Sequence, residues 1–276
     1  MSTQVAVIQR VVVYGGLLVV SALSLFPLVW MLMVSLMQPG ESSTFPPPFW
    51  PAAPTVRNYV ELATHNELGT HLWNSLVISV GAVGWSLLFN TTAGYAFAKL
   101  PFRGRRSLHQ LFLAALVIPA QIAMLPLFLM LKEMHLINTM FGVWIPSMAG
   151  IFSVFLVRQS VMAIPDALLD SARVDGAGEL RIFVSIVLPL LRPILVTLGV
   201  LTFLGVWNDF LWPLIVLNDS ESTTLPVALA ALGREHVQDN ELMMAGAVVT
   251  IAPTLLLFIS LQRYYVQGLM AGGVKG

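Results

Sequence analysis

Long apolar runs without charge dominate the chain. No Asp, Glu, Lys or Arg interrupts residues 11–37, 72–98, 136–157 or 242–262, and residues 108–131 carry only His109, at one edge. Crossing the hydrocarbon core of a bilayer takes about 20 residues at about 1.5 Å of helix rise each, and every one of these runs is long enough. Residues 182–217 form a longer run interrupted by Arg192 and Asp209, which reads as one span with an amphipathic or broken entry. The pattern predicts six spans. Backbone groups in lipid must pair within the protein, so spans are helices or strands of a closed barrel. Barrel strands are shorter and alternate polar with apolar, whereas these runs are continuously apolar. The expected fold is therefore all-α, a polytopic membrane protein with six transmembrane helices.

Punctuation between the runs agrees. Pro39, Pro46, Pro47, Pro48, Pro51 and Pro54 follow the first run and predict a rigid, non-helical loop. The first run exceeds the usual apolar region of a signal peptide, and no small-residue cleavage pattern follows it; it is taken as a true span. Gly81, Gly84 and Gly94 in the second run read as close-packing positions. Asn90, Thr91 and Thr92 lie in the same run. Thr hydroxyls can bond back to their own helix and Asn can join neighbouring helices, which favours packing over lining of a transport path.

Composition supports the membrane assignment. The chain is 57% hydrophobic and 10% charged, against about 25% charged for soluble domains. Six spans put both termini on one side. That side carries Arg10, the Lys99, Arg103, Arg105 and Arg106 cluster, Arg158, Arg173, Arg181, Arg192, Arg263 and Lys275; the other has Arg57, Lys132 and Arg234. By the positive-inside rule both termini are cytoplasmic. The 99–106 cluster reads as a surface anchor acting by charge alone. The outer side is acidic, with Glu41, Glu61, Glu67, Glu133, Asp219, Glu221, Glu235, Asp239 and Glu241. These are either solvated loop positions or the complement of a basic patch on a soluble partner.

The absent chemistry narrows the function. Without cysteine there is no thiolate metal site, disulfide or cysteine nucleophile. His65, His71, His109, His135 and His236 include no pair with helical metal-site spacing. No phosphate loop ending in Lys-Ser or Lys-Thr occurs, so any ATP is bound by another polypeptide. An intramembrane enzyme would need a catalytic pair at depth, yet Asp209 has no second acid within a span and no histidine lies deep in one. The chain is expected to have no catalytic residue, cofactor or metal, and no nucleic-acid partner.

The segment between the fourth and fifth runs is the most informative. Pro165 suits the first turn of a helix, and Asp166 follows near its positive end. Residues 167–174 favour helix, with Ala167, Leu168, Ala172 and Val174 offering apolar contacts. Gly176 can take a positive φ and stop the helix, and a second helix can begin near residues 177–179. The small residues Ser171, Ala172, Gly176 and Ala177 permit close approach of another surface. Two roles fit: a docking knob, or an interfacial helix that stabilises the loop.

This segment resembles the signature loop of binding-protein-dependent import permeases of the ATP-binding-cassette class. That family's pattern is Glu-Ala-Ala, three residues, Gly, and then an Ile-x-Leu-Pro run. Here Asp170-Ser171-Ala172 precedes Arg173-Val174-Asp175 and Gly176-Ala177, with Phe183, Ile186, Leu188, Pro189 and Pro193 beyond. Asp170 stands where Glu is usual and Ser171 where Ala is usual; both nearly conserve size and charge. Further runs resemble the shorter membrane subunit of maltose-type carbohydrate importers. These are Trp73-Asn74-Ser75-Leu76, Gly94-Tyr95-Ala96-Phe97-Ala98, the stretch 203–214, Thr224-Leu225-Pro226 and the end from Gln262 onward.

The resemblance implies a type I importer transmembrane domain. Its divisions would be a first span and outer loop over 1–69, a five-span core with a coupling helix over 70–265, and a cytoplasmic tail over 266–276. It implies that Asp170, Ser171, Ala172, Arg173, Asp175, Gly176 and Ala177 contact an ATPase subunit, with Asp170, Arg173 and Asp175 as candidates for polar pairing. The implied partners are a second homologous permease, two ATP-binding-cassette ATPase subunits, an extracytoplasmic sugar-binding protein, the sugar and the lipid bilayer. Another polar solute, such as a glycerol phosphate ester or a polyamine, is the alternative cargo. Asn208, Asp209 and Trp207 are candidates for the translocation path, since a charge near the bilayer core normally marks a cavity or a partnered site. Asp209 could equally be solvated near the headgroups or pin helix packing. Pro189, Pro193 and Pro213 predict a bent lever beyond the docking segment.

Overall fold

The computed structural model describes residues 2–235 and 239–273, with side chains over 9–219, 221–234 and 239–262. His236, the side chains of Glu235 and Arg263, Lys275, and the side chains of the expected 266–276 tail lie outside the described residues. Every regular element among the described residues is helical. The long α1 (Ser2–Ser35) is followed by the short α2 (Arg57–Thr64) and the long α3 (Leu68–Lys99). Next come α4 (Arg105–Ala114), α5 (Ala120–Glu133), α6 (Met140–Met148), α7 (Ile151–Met162) and α8 (Asp166–Val174). The short α9 (Glu179–Ile182), a π-helical turn over Phe183–Val187, and α10 (Leu188–Leu190) lead into α11 (Arg192–Trp207). The remaining helices are α12 (Leu211–Val216), α13 (Leu225–Glu235) and α14 (Asn240–Gly273).

Three helical stretches are long and apolar enough to cross a membrane unbroken: Gln9–Ser35, Leu68–Lys99 and Asn240–Gln262. Three more candidates are bent pairs: α4 with α5 at 109°, α6 with α7 at 44°, and Glu179–Leu190 with α11 at 79°. The chain is an all-α polytopic membrane protein with three to six candidate spans.

The bends have local causes. The continuous run 108–131 turns sharply at Ile118 and Pro119. A proline disfavours the helical region for the residue before it, and Ile118 is extended at φ −79°, ψ 117°. Before Pro189 the helix widens: Leu188 N–H donates to Phe183 O, five residues back. A wider turn gives room to a ring that would otherwise meet the carbonyl four residues earlier. The sharp bend follows at Leu191, just before Arg192 and Pro193.

The chain divides into two compact units. One comprises Met1–Gly69 and Ala228–Pro253, the other Thr70–Val227 and Thr254–Gly276. In the first, the proline-rich stretch lacks α-helix, as expected, and is fixed by polar side chains. Asn58, almost fully buried, donates to the Ser35 and Met37 carbonyls at 2.9 and 3.0 Å. The Glu41 carboxylate accepts from Gln38 N–H and Ala52 N–H, and buried Glu241 accepts from Ser42 N–H at 2.7 Å. Phe49 packs against Phe26, Trp30 and Trp50.

In the second unit α3 is packed closely by its neighbours. A Cβ on Gly81 would lie 2.5 Å from the Trp144 ring, and one on Gly94 would lie 2.5 Å from the Val157 side chain. Gly84 differs from expectation: a Cβ there meets nothing within 4 Å. Asn90, fully buried, bridges to the break between α6 and α7. Its amide donates to Ser86 Oγ at 2.9 Å and to the Ser147 carbonyl at 3.3 Å, and its carbonyl accepts from Gly150 N–H at 2.9 Å. Thr92 bonds back to Leu88 O at 2.8 Å. One apolar cluster gathers Tyr95, Val157, Val161, Leu169, Ile182 and Leu198, joining α3, α7, α8, α9 and α11.

Candidate coupling site

A nine-residue helix cannot hold itself in water, so the position of α8 depends on its anchors. Pro165 stands at the N-cap, one place ahead of its expected position, and Asp166 opens the helix. The buried anchor is Leu169, at 0% exposure, whereas Leu168 is 42% and Val174 88% exposed. This corrects the expected apolar face. Positions three apart share a helix face, and Leu169 with Ala172 forms the face packed on the core cluster.

The helix stops where expected. Gly176 has φ +82°. Ala177 N–H donates to Ala172 O at 2.9 Å and Gly176 N–H to Arg173 O at 3.0 Å. These are the two hydrogen bonds of a Schellman C-cap with glycine in the left-handed position. Ala172 and Ala177 are both packed against the apolar cluster. No atom lies within 4 Å of a Cβ built on Gly176, so its requirement for glycine is conformational.

Asp170, Ser171, Arg173, Asp175 and Gly176 are exposed, and Ala172 and Ala177 are half-buried. The charged members are not all free. Arg173 Nη1 donates to Asp170 Oδ1 at 2.6 Å and Arg173 Nε to Glu179 Oε1 at 2.7 Å. These carboxylates hold the guanidinium still more firmly protonated than usual, Glu179 contributing most. Glu179 also accepts from the Tyr95 hydroxyl through Oε2 at 2.7 Å.

At the other end of α8, Lys99 Nζ donates to Ile164 O at 2.7 Å and to Asp166 Oδ1 at 2.6 Å, with its side chain only 9% exposed. The hydrogen bond and charge of Lys99 hold the Asp166 carboxyl below its usual range. Lys99 is thus a half-buried structural partner, unlike exposed Arg103 and Arg106. Tyr95, Lys99 and Glu179 went unrecognised from the sequence as anchors of this segment. A tyrosine in an apolar span and partners 67 and 84 residues apart carry no local signal.

The membrane-depth candidates lie at the C-terminal end of α11 and just beyond it. Trp207 is buried and stacked on Phe203 at 5.5 Å. Asn208 is exposed and its amide donates to Leu204 O at 2.8 Å. Asp209, half-buried, accepts from Trp212 N–H at the start of α12. Toward the start of α3, two sequence runs meet. Asn74 donates to the Glu221 and Thr223 carbonyls at 2.6 and 3.2 Å, and Leu225 N–H donates to Ser75 Oγ at 2.7 Å.

Comparison with known proteins fits this architecture. The binding-protein-dependent transport system inner membrane component family matches residues 90–270, and the chain belongs to that family. It is 38% identical over 268 residues to the arabinooligosaccharides transport system permease protein AraQ of Halalkalibacterium halodurans, covering 95% of each chain. It is 31% identical over 265 residues to the lactose transport system permease protein LacG of Rhizobium radiobacter, covering 96% of each. Its fold is that of a chain from the crystal structure of a bacterial ABC transporter involved in import of the acidic polysaccharide alginate. That match has a TM-score of 0.82 at 23% identity, over 96% of this chain and 98% of the other. The chain is a permease subunit of this class of importer.

Proposed function

We propose that this chain is one of two channel-forming subunits of an ATP-driven, binding-protein-dependent importer of a sugar or oligosaccharide. The observation that carries the reading is α8: a helix anchored by Leu169 on one face and exposing Asp170, Ser171, Asp175 and Gly176 on the other. A fixed, exposed knob at the end of a membrane bundle suits an ATPase cleft. Saccharide cargo is supported by the names of the two relatives described above.

In this reading the chain crosses the bacterial inner membrane six times with both termini in the cytoplasm, each bent pair acting as one span. Residues 1–69 form the first span and an outer loop, 70–265 the permease core, and 266–276 a cytoplasmic tail. ATP is hydrolysed by two separate cassette subunits that receive α8 and its counterpart on a second permease. An extracytoplasmic binding protein delivers the sugar. Asp175 and the outer edge of Asp170 face the ATPase, while Arg173 is held by its own chain. Asn208 borders the translocation path, with Asp209 and Trp207 shaping the break between α11 and α12.

The test is purification of the tagged chain from a host expressing the neighbouring transport genes. The expected product holds one related permease and two copies of an ATPase per tagged chain. Sugar uptake by this polypeptide alone in ATP-free vesicles would overturn the reading.

A further inference from the structure

The helix α3 differs from the three candidate spans built as bent pairs. It runs unbroken from Leu68 to Lys99, with no proline inside. Its 32 residues give a rod about 48 Å long at about 1.5 Å per residue, enough to cross a bilayer and project at both faces.

Each end of this rod grips a different segment through directional hydrogen bonds. At the C-terminal end, Lys99 holds Ile164 O and Asp166 where α8 begins. One turn earlier, Tyr95 holds Glu179, which holds Arg173, which holds Asp170. Both ends of α8 are therefore tied to α3. Apolar burial of Leu169 draws α8 onto the core, but such burial is non-directional. The hydrogen bonds, at 2.6–2.7 Å, are angle-dependent and fix how α8 is turned. At the other end, Asn74 and Ser75 grip the Glu221–Leu225 stretch through two backbone carbonyls and one N–H. His71 Nδ1 lies 3.2 Å from the Thr223 carbonyl. These bonds go mainly to the backbone, so they fix the path of that stretch whatever its side chains.

We propose that α3 is a strut carrying α8 at one end and the Glu221–Leu225 stretch at the other. Tyr95, Glu179 and Lys99, with Asn74 and Ser75, are its positioning residues. The inference rests on the reading of α8 as the ATPase contact and adds a route by which that contact reaches the opposite face. A rigid element with a segment fixed at each end carries displacement across the membrane as one body, one of the physical forms that long-range coupling takes. Neither grip needs to touch sugar or nucleotide.

The chain has no cysteine, so a spin-label pair can be placed at Ala167 and Glu221 without background. In reconstituted complexes, the distance between the labels is compared without nucleotide and with ATP trapped. Stimulation of ATPase activity by loaded binding protein is measured per assembled complex. The parent complex is expected to hold the same distance in both states. Tyr95→Phe with Glu179→Gln at one end, or Asn74→Ala with Ser75→Ala at the other, should broaden the distance distribution and lower the stimulation about 5-fold or more. Tyr95→Phe alone keeps the ring beside Phe183, 5.1 Å away, and serves if the double variant fails to assemble. A role confined to folding would lower yield while leaving stimulation per complex unchanged, and would overturn the proposal. So would a parent distance that shifts by several ångströms between states. Absence of any stimulation in the parent would instead overturn the importer reading itself.

Discussion

Gly176 and Asn90 show how differently single residues announce themselves. At Gly176 the sequence was sufficient. A helix that starts at a proline and must end before a second helix needs a left-handed residue, and φ there is +82°. Leu169 was not legible. Its neighbour Leu168 has the same chemistry, and only the packing of α7, α9 and α11 decides which of the two is buried. Arg173 was legible as a polar group but not as one already partnered, since Glu179 lies across the turn that Gly176 makes. Asn90 was legible as glue, and the structure adds what it joins. Its amide satisfies Gly150 N–H and the Ser147 carbonyl at a helix break inside the bundle. A buried polar group left unpaired costs about 1–3 kcal/mol. Asn90→Leu strands two such groups and is expected to lower the melting temperature of the purified complex. An unchanged melting temperature would mean that the break is held by other contacts.

The elements were legible as apolar runs but not as straight or broken rods. Hydropathy registers length and charge, and both survive a bend. Pro119 and the Ala149–Gly150 junction interrupt backbone hydrogen bonding without adding a polar side chain, so 108–131 and 136–157 looked continuous. The fifth run was the exception, because Arg192 and Asp209 marked its breaks directly. The loop charges bear on orientation. Arg103 lies between α3 and α4, and Arg105 and Arg106 open α4, just after a turn at Gly104 with φ +77°. Positive loops stay in the cytoplasm, so a cysteine introduced at Arg103 is expected to resist an impermeant thiol reagent in intact cells. One at Glu221 should react. Labelling of the Arg103 position in intact cells would invert the topology.

At the scale of the whole molecule, the account depends on α8 passing the movement of another protein into this one. That connection uses a short helix, a glycine cap and anchors distant in sequence. Only the first two could be read without the fold. The resemblance to import permeases implies a purpose for the segment, and the structure supplies what fixes it. Gly176→Val tests the connection most directly. A side chain in the left-handed region costs about 1–2 kcal/mol for an ordinary residue, more when β-branched, and nothing within 4 Å of Gly176 adds a packing effect. The change should therefore distort the cap of α8 while leaving the membrane core intact. The measurement is ATPase stimulation by loaded binding protein in reconstituted complexes, scored beside assembly and sugar uptake. The account predicts that binding protein still takes up sugar, while stimulation and uptake fall sharply. Gly176→Val complexes that assemble, transport and respond like the parent would contradict it.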